Sequence, residues 1–230
     1  MRPKNVPRPP RPDHRHAHGR AASDYLLNVF INCPFDLSYR PIRDALVFAI
    51  FQGGLRPRCA LETTDSGQVR IEKIIGLIRD CRWGIHDLSR TELNENSLPR
   101  FNMPLELGLF LGASRFGNSE QRLKACLVLD REPYRFHQYV SDIAGQDIVS
   151  HGDDPARVIQ AVRDWLEASL PSEARRLAGS AAIIARYDAF LRDLPRLCAD
   201  LDRDPKNLTF TDHAETVWDW MAVGPGPLIR

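Results

Sequence analysis

The chain has 230 residues, 43% of them hydrophobic, and a formal net charge of +1, enough apolar mass for one sizeable core with an appendage. No run approaches the ~18 consecutive apolar residues of a membrane-spanning helix, since the most apolar window, Ala45 to Phe51, is stopped by Gln52, Gly53 and Gly54. Residues 1 to 24 carry six basic and two acidic side chains, which leaves the body 25 basic and 28 acidic residues without the basic excess of a dedicated nucleic-acid binder.

The opening MRPKNVPRPPRPDHRHAHGRAAS has five prolines and hardly any large apolar side chain, so residues 1–24 are expected to be a disordered, basic tail. It lacks the apolar segment of a secretory signal, and the expected location is cytoplasmic. His14, His16 and His18 alternate within it, a spacing read as solvated tail in preference to a metal site. From Asn28 the pattern changes. Asn28 to Phe35 reads as a buried strand ended by Pro34. Ile42, Ala45, Leu46, Ala49 and Ile50 recur at helical spacing up to Gly53-Gly54.

Arg58 to Thr63 reads as a second strand, Thr64 to Gly67 as a turn, and Ile71, Ile74, Ile75 and Ile78 as the inward stripe of a second helix. Trp83 to Ser89 gives a third strand. Met103, Leu107, Phe110, Leu111 and Ser114 mark a third helix, with Pro104 in its first turn. Lys124 to Asp130 and Gln146 to Ser150 complete five strands, separated by an irregular piece from Tyr134 to Ala144. Val158, Val162, Trp165 and Leu166 form another amphipathic helix. Strand and helix alternating at this spacing predict an α/β doubly wound, flavodoxin-like, five-stranded parallel sheet over residues 25–170. A helical extension over 171–230 follows, with a helix through Ile183, Tyr187, Phe190 and Leu194 ending before Pro195, and Trp218, Trp220 and Met221 apolar enough to dock. The five cysteines, Cys33, Cys59, Cys81, Cys126 and Cys198, are odd in number and form no CxxC pair, so they are read as small core residues.

In an open parallel sheet, ligands bind outside the carboxyl ends of the strands, where loop amides and helix N-termini converge. The loops on that edge hold Asn32 to Asp36, Glu62 to Arg70, Asp87 to Arg90 and Arg100 to Asn102. Glu106 has two readings: a carboxylate that stabilises or attacks a ribose anomeric carbon, or an acidic residue favoured near a helix start by the macrodipole and capping. Asp87 either receives ribose hydroxyls or caps its own loop beside Ser89. Arg70, Arg90 and Arg100 are phosphate ligands or solvated side chains. His86, inside a strand, is read as a hydrogen-bonded core residue. A glycine-rich phosphate loop is missing after the first strand, and no HExxH, GxSxG or EF-hand pattern occurs.

With NVFINCPFD in the first strand, GIHDLSR in the third and FNMPLELGLFLGA opening the next helix, the stretch from Asn28 to about Leu170 resembles the superfamily joining nucleoside 2-deoxyribosyltransferases and bacterial TIR domains. The resemblance places the catalytic glutamate of both branches on Glu106 and the third-strand aspartate of the transferases on Asp87. It implies a nucleotide-binding protein that cleaves or transfers an N-glycosidic bond of NAD or a related nucleotide, as in a bacterial defence effector. The chain departs from both branches in lacking the Trp-Cys pair before the TIR glutamate and in its first-strand loop NCPFD. The expected site is then Glu106 and Asp87 as catalytic groups, with Asn32, Asp36, Ser66, Arg70, Ser89, Arg100 and Asn102 binding substrate, without a metal or a required cofactor. Two alternatives stand beside it: a nucleotide-sensing module that does not cut, and a self-association domain. The partners expected are a small nucleotide, a second copy of the chain, and an effector protein reached through the C-terminal helices, but neither membrane nor nucleic acid.

Overall fold

The computed structural model describes residues 22–91, 100–171 and 177–224. Five strands, β1 (Asn28–Asn32), β2 (Arg56–Cys59), β3 (Trp83–Asp87), β4 (Ala125–Asp130) and β5 (Ile148–Ser150), form one parallel sheet in the order β2-β1-β3-β4-β5. The doubly wound α/β architecture expected from the alternating pattern is therefore present. Its order reverses between β1 and β3, whose register pairs Val29 with Trp83 and Asn32 with His86. Among the described residues no helix is long and apolar enough to cross a membrane.

Side chains of β1 alternate across the sheet. Val29 and Ile31 join the core beneath α2 (Arg40–Gln52) and α5 (Pro155–Ser169), whereas Phe30 packs with α3 (Arg70–Arg79) and with Phe110 of α4 (Asn102–Phe116). A short helix α1 (Ala22–Leu27) lies at the amino ends of the strands, where the Tyr25 hydroxyl donates to Glu120 O at 2.8 Å and Trp83 Nε1 donates to Leu26 O at 2.8 Å. Ala22 to Asp24 thus belong to this helix and not to the tail, because Asp24 is tied to Arg56 at 2.7 Å; the rest of the expected tail, with its three histidines, lies outside the described residues.

Two helices follow the sheet, α6 (Ser180–Ala199) and α7 (Phe210–Val223), the latter started by a Thr209–Asp212 capping box. Helix α2 explains their place. Every residue from Ala45 to Gln52 is buried, so the helix is apolar on all sides and needs cover beyond the sheet. Tyr187, Phe190, Phe210, Val217 and Met221 provide that cover within the same continuous core. The Arg40 guanidinium, donating to the Pro205 and Lys206 carbonyls, ties the α6–α7 connection to the start of α2.

Several boundaries differ from those predicted. The second strand ends at Cys59 because Glu62 turns back on it: its amide donates to Cys59 O at 3.0 Å and its carboxylate accepts from Cys59 N at 2.8 Å and Arg58 Nε at 2.8 Å. Ile71 and Ile75 are exposed and the buried stripe of α3 is Ile74, Leu77 and Ile78. Helix α6 runs through Pro195 to Ala199; the proline sits on the exposed side, beside exposed Leu191 and Arg192, where the missing backbone bond opens to water. All five cysteines are free, with burial pushing the thiols of Cys59 and Cys81 up to about 12 and Cys126 to about 11.

Candidate active site at the carboxyl edge

Glu106 lies in the second turn of α4, 7% exposed, and no hydrogen bond to it occurs among the described residues. The first turn of that helix has no acidic residue and its N-cap, Phe101, makes no side-chain cap, so Glu106 is not held by local capping. Burial pushes its carboxyl up to about 7, against the pull of the Arg70 guanidinium, which lowers it. Its charge is felt by the thiols of Cys33 and Cys59, which sets it against the carboxyl ends of β1 and β2. A buried, unpaired carboxylate that titrates near neutrality is costly to keep and typical of functional sites.

Arg70 acts on it directly, and other polar groups share its edge of the sheet. Arg70 opens α3, with its guanidinium 5.6 Å from the centre of the Phe35 ring. Arg100 pairs with Asp36 at 3.0 Å, joining the loop after β1 to the start of α4. Asn102 is exposed on the first turn of α4, and Ser66 is exposed in the turn before α3. Glu106, Arg70, Asp36, Arg100 and Asn102 are therefore assembled from three separate loops on one edge, with Phe35 added to them.

Three residues expected in the site are elsewhere. Asp87 is fully buried on the α2 and α5 face, where its carboxylate accepts from Tyr39 Oη at 2.6 Å, Ser89 N at 2.8 Å and His151 Nε2 at 3.0 Å. Burial alone would raise its pKa, but those donors outweigh it and hold the carboxyl below its usual value. Fully buried, it presents no surface to a ribose, whereas Glu106 is carried by α4, which packs through Phe110 on the other face of the sheet. Ser89 is fully buried and its Oγ lies 2.9 Å from His151 Nε2. Asp87, His151 and Ser89 are not a nucleophilic triad: aspartate and serine meet the same ring nitrogen, and Nδ1 accepts from Asp153 N at 3.0 Å. Asn32 is buried, its amide donating to Met103 O at 2.8 Å and to His86 Nδ1 at 3.0 Å. Instead of contacting a ligand, it fixes the first turn of α4 and so aims Glu106.

His86 is the core residue its position predicted, lying between the rings of Phe30 and Phe110, at 5.9 and 4.9 Å, with burial, aided by Lys124, pushing its pKa down to about 3. Arg90 reaches Ser38 Oγ at 3.4 Å. Phe35, Tyr39 and His151 were missed by sequence reasoning. His151 carried one signal, its place directly after a strand on the ligand-binding edge; Phe35 and Tyr39 are apolar-looking residues in a loop searched for charge. Two cavities, of about 890 Å³ beside β4, β5 and α5 and about 690 Å³ between α2, α5 and α6, contain neither Glu106 nor its arginines, and neither is lined by a buried, unpaired carboxylate. Among the described residues no group of three or more His, Cys, Asp or Glu side chains is placed to hold a metal ion.

The fold and the site together define a doubly wound α/β protein with a desolvated glutamate at its switch point. No protein-family model, curated protein or solved structure matches the chain.

Proposed function

We propose that this protein binds a nucleotide and cleaves or transfers an N-glycosidic bond, with NAD or a related pyridine nucleotide as the substrate class. The observation that carries the reading is Glu106: desolvated, without a hydrogen-bond partner among the described residues, and placed where a doubly wound sheet holds its ligands. Arg70 and Arg100 offer guanidinium groups to phosphates at the same edge, with Asn102 and Asp36 on the sugar and Ser66 on the rim.

The burial of Asp87 narrows the chemistry. Glycosyl transfer with a neutral leaving group needs a proton donor as well as a carboxylate. A pyridinium–ribose bond does not, because nicotinamide departs as a neutral base carrying the bonding pair. The carboxylate of Glu106 then stabilises the oxocarbenium-like sugar or bonds to its anomeric carbon. Water completes the reaction by bonding to that carbon and releasing its proton to solvent. A single glutamate beside an arginine, acting as the carboxylate that prevails above its raised pKa of about 7, suits this substrate better than a nucleoside with a neutral base.

The test is incubation of the purified protein with millimolar NAD and measurement of free nicotinamide. Release by the wild type that falls by about 100-fold or more in Glu106→Gln supports the assignment; equal release by both rejects it. The second reading, a sensing module, draws on the same burial of Asp87, the other carboxylate expected for catalysis. It predicts a thermal shift with NAD or ADP-ribose and no nicotinamide.

A further inference from the structure

The fully buried cluster of Tyr39, Asp87, Ser89 and His151 joins three segments that end on the ligand-binding edge. Tyr39 closes the loop after β1, its amide donating to Asp36 O at 3.0 Å, three residues from the Asp36–Arg100 pair. Asp87 ends β3, and Ser89 lies in the described stretch 88–91 that follows it. His151 is the first residue past β5, where its amide donates to Asp130 O at 3.0 Å. Gly152 and Asp153, with φ of 60° and 57°, turn the chain so that the Asp153 amide meets His151 Nδ1. With Nδ1 an acceptor, Nε2 carries the proton and presents it to Asp87 and Ser89. Residues 88–91 are held from the other side too, by Arg135, which donates to Leu88 O at 2.6 Å and Thr91 Oγ1 at 3.1 Å.

We infer that Tyr39 and His151 are positioning residues: through Asp87 and Ser89 they fix the loop bearing Phe35 and Asp36, and so place the two arginines that this loop contacts, Arg70 over the Phe35 ring and Arg100 on Asp36, at the edge where Glu106 lies. The inference rests on the nucleotide reading above for what that edge receives, and on the buried hydrogen bonds alone for the fixing of the loops. A buried network with every member paired has one low-energy arrangement, which is what a loop needs if it is to present a binding group without reordering. Neither residue touches the ligand.

The experiment compares amide hydrogen exchange of the full chain with its affinity for NAD in wild type, Tyr39→Phe, His151→Met and His151→Gln. Tyr39→Phe removes a single oxygen, and His151→Gln keeps an N–H near the position of Nε2 where His151→Met does not. Exchange in residues 33–39 and 88–91 is expected to rise about tenfold in Tyr39→Phe and His151→Met, the scale of one lost buried hydrogen bond. Exchange in α6 and α7 stays at the wild-type rate. NAD affinity falls by a similar factor, KM rises while kcat changes less than about twofold, and His151→Gln lies nearer to wild type on each count. Should His151→Met fail to fold, Tyr39→Phe carries the comparison. Exchange that rises evenly along the chain, loops that keep the wild-type rate in Tyr39→Phe, or loosened loops with unchanged NAD affinity would each overturn the positioning role. A wild type that binds no NAD removes the nucleotide reading instead, and the exchange pattern then decides by itself whether the cluster holds the loops.

Discussion

The side-chain amide of Asn32 donates to the Met103 carbonyl at 2.8 Å, pinning the first turn of α4 to the end of β1 three residues before Glu106. The same nitrogen donates to His86 Nδ1, so one buried group satisfies two acceptors. Asn32→Ala leaves both unpaired and is expected to lower stability by about 2–4 kcal/mol, read as a drop in the urea midpoint. Asn32→Asp is expected to be at least as damaging, because a carboxylate has no proton to give to either acceptor. A loss below about 0.5 kcal/mol in both variants would mean that another group takes over the Met103 carbonyl.

Glu106 makes a prediction about pH that needs no substrate. Its folded pKa is raised to about 7 from an ordinary 4.5, so between those values the native state holds a proton that the unfolded chain has released. Its contribution is therefore present below the unfolded value and is lost as pH rises through the folded one. Glu106→Gln removes this slope and is expected to be more stable than wild type at pH 8 by about 1–3 kcal/mol, with little advantage at pH 4. Urea midpoints of both proteins across pH 4 to 8 check it. A constant gap across that range would place Glu106 in water.

The sheet was legible in the sequence because buried parallel strands and amphipathic helices leave different periods, and five apolar runs alternated with helical stripes. The site was legible only in part. Local spacing identified Glu106 and the arginines as residues of one edge, but which face of the sheet a side chain takes is decided by the pleat. Asp87 and Glu106 were adjacent by edge and opposite by face. The end of β2 was hidden for another reason, since Glu62 binding back to Cys59 and Arg58 is a turn made by a side chain, in a stretch whose composition suits a strand. The outer helical layer had a signal in Ala45 to Phe51, an apolar run too continuous for a helix with one wet face.

Arg70 tests the electrostatics of the site. Its charge lowers the carboxyl of Glu106, against the larger effect of burial, so Arg70→Ala should move the Glu106 titration to higher pH. The shift should be modest, because the guanidinium is exposed and screened by salt. Carbon-13 NMR of the glutamate carboxyl resonances, with Glu106→Gln to assign the signal, measures it directly. A downward shift would show that Arg70 does not face the carboxylate.

Asp87 has the opposite pH behaviour. Its carboxyl is held below its ordinary value of 3.8, so its contribution is present above the unfolded pKa and is lost as pH falls through the folded one. Asp87→Asn leaves Tyr39, Ser89 and His151 facing an amide and is expected to cost about 2–4 kcal/mol at pH 7, the scale of losing one or two hydrogen bonds to a buried charged acceptor. The gap to wild type should narrow as pH falls below 3.8, where the unfolded chain takes up a proton that the folded carboxyl still resists. Equal destabilisation at pH 7 and pH 3 would indicate a packing effect and not a charge.

Phe190 decides whether the C-terminal helices belong to the same folding unit as the sheet. Its ring is fully buried, 5.6 Å from Phe48 of α2, 5.8 Å from His213 and 5.7 Å from Trp220 of α7. Removing it opens a cavity at the junction of α2, α6 and α7, for a cost of about 3–5 kcal/mol in Phe190→Ala. Leu191, the next residue but exposed, serves as the control, and Leu191→Ala should stay within about 0.5 kcal/mol of wild type. Because α2 is buried between the sheet and these helices, the loss should appear as a single transition, with tryptophan fluorescence and far-ultraviolet circular dichroism coinciding. Two separated transitions, the first one alone displaced by Phe190→Ala, would show that α6 and α7 unfold independently and that α2 keeps its place without them.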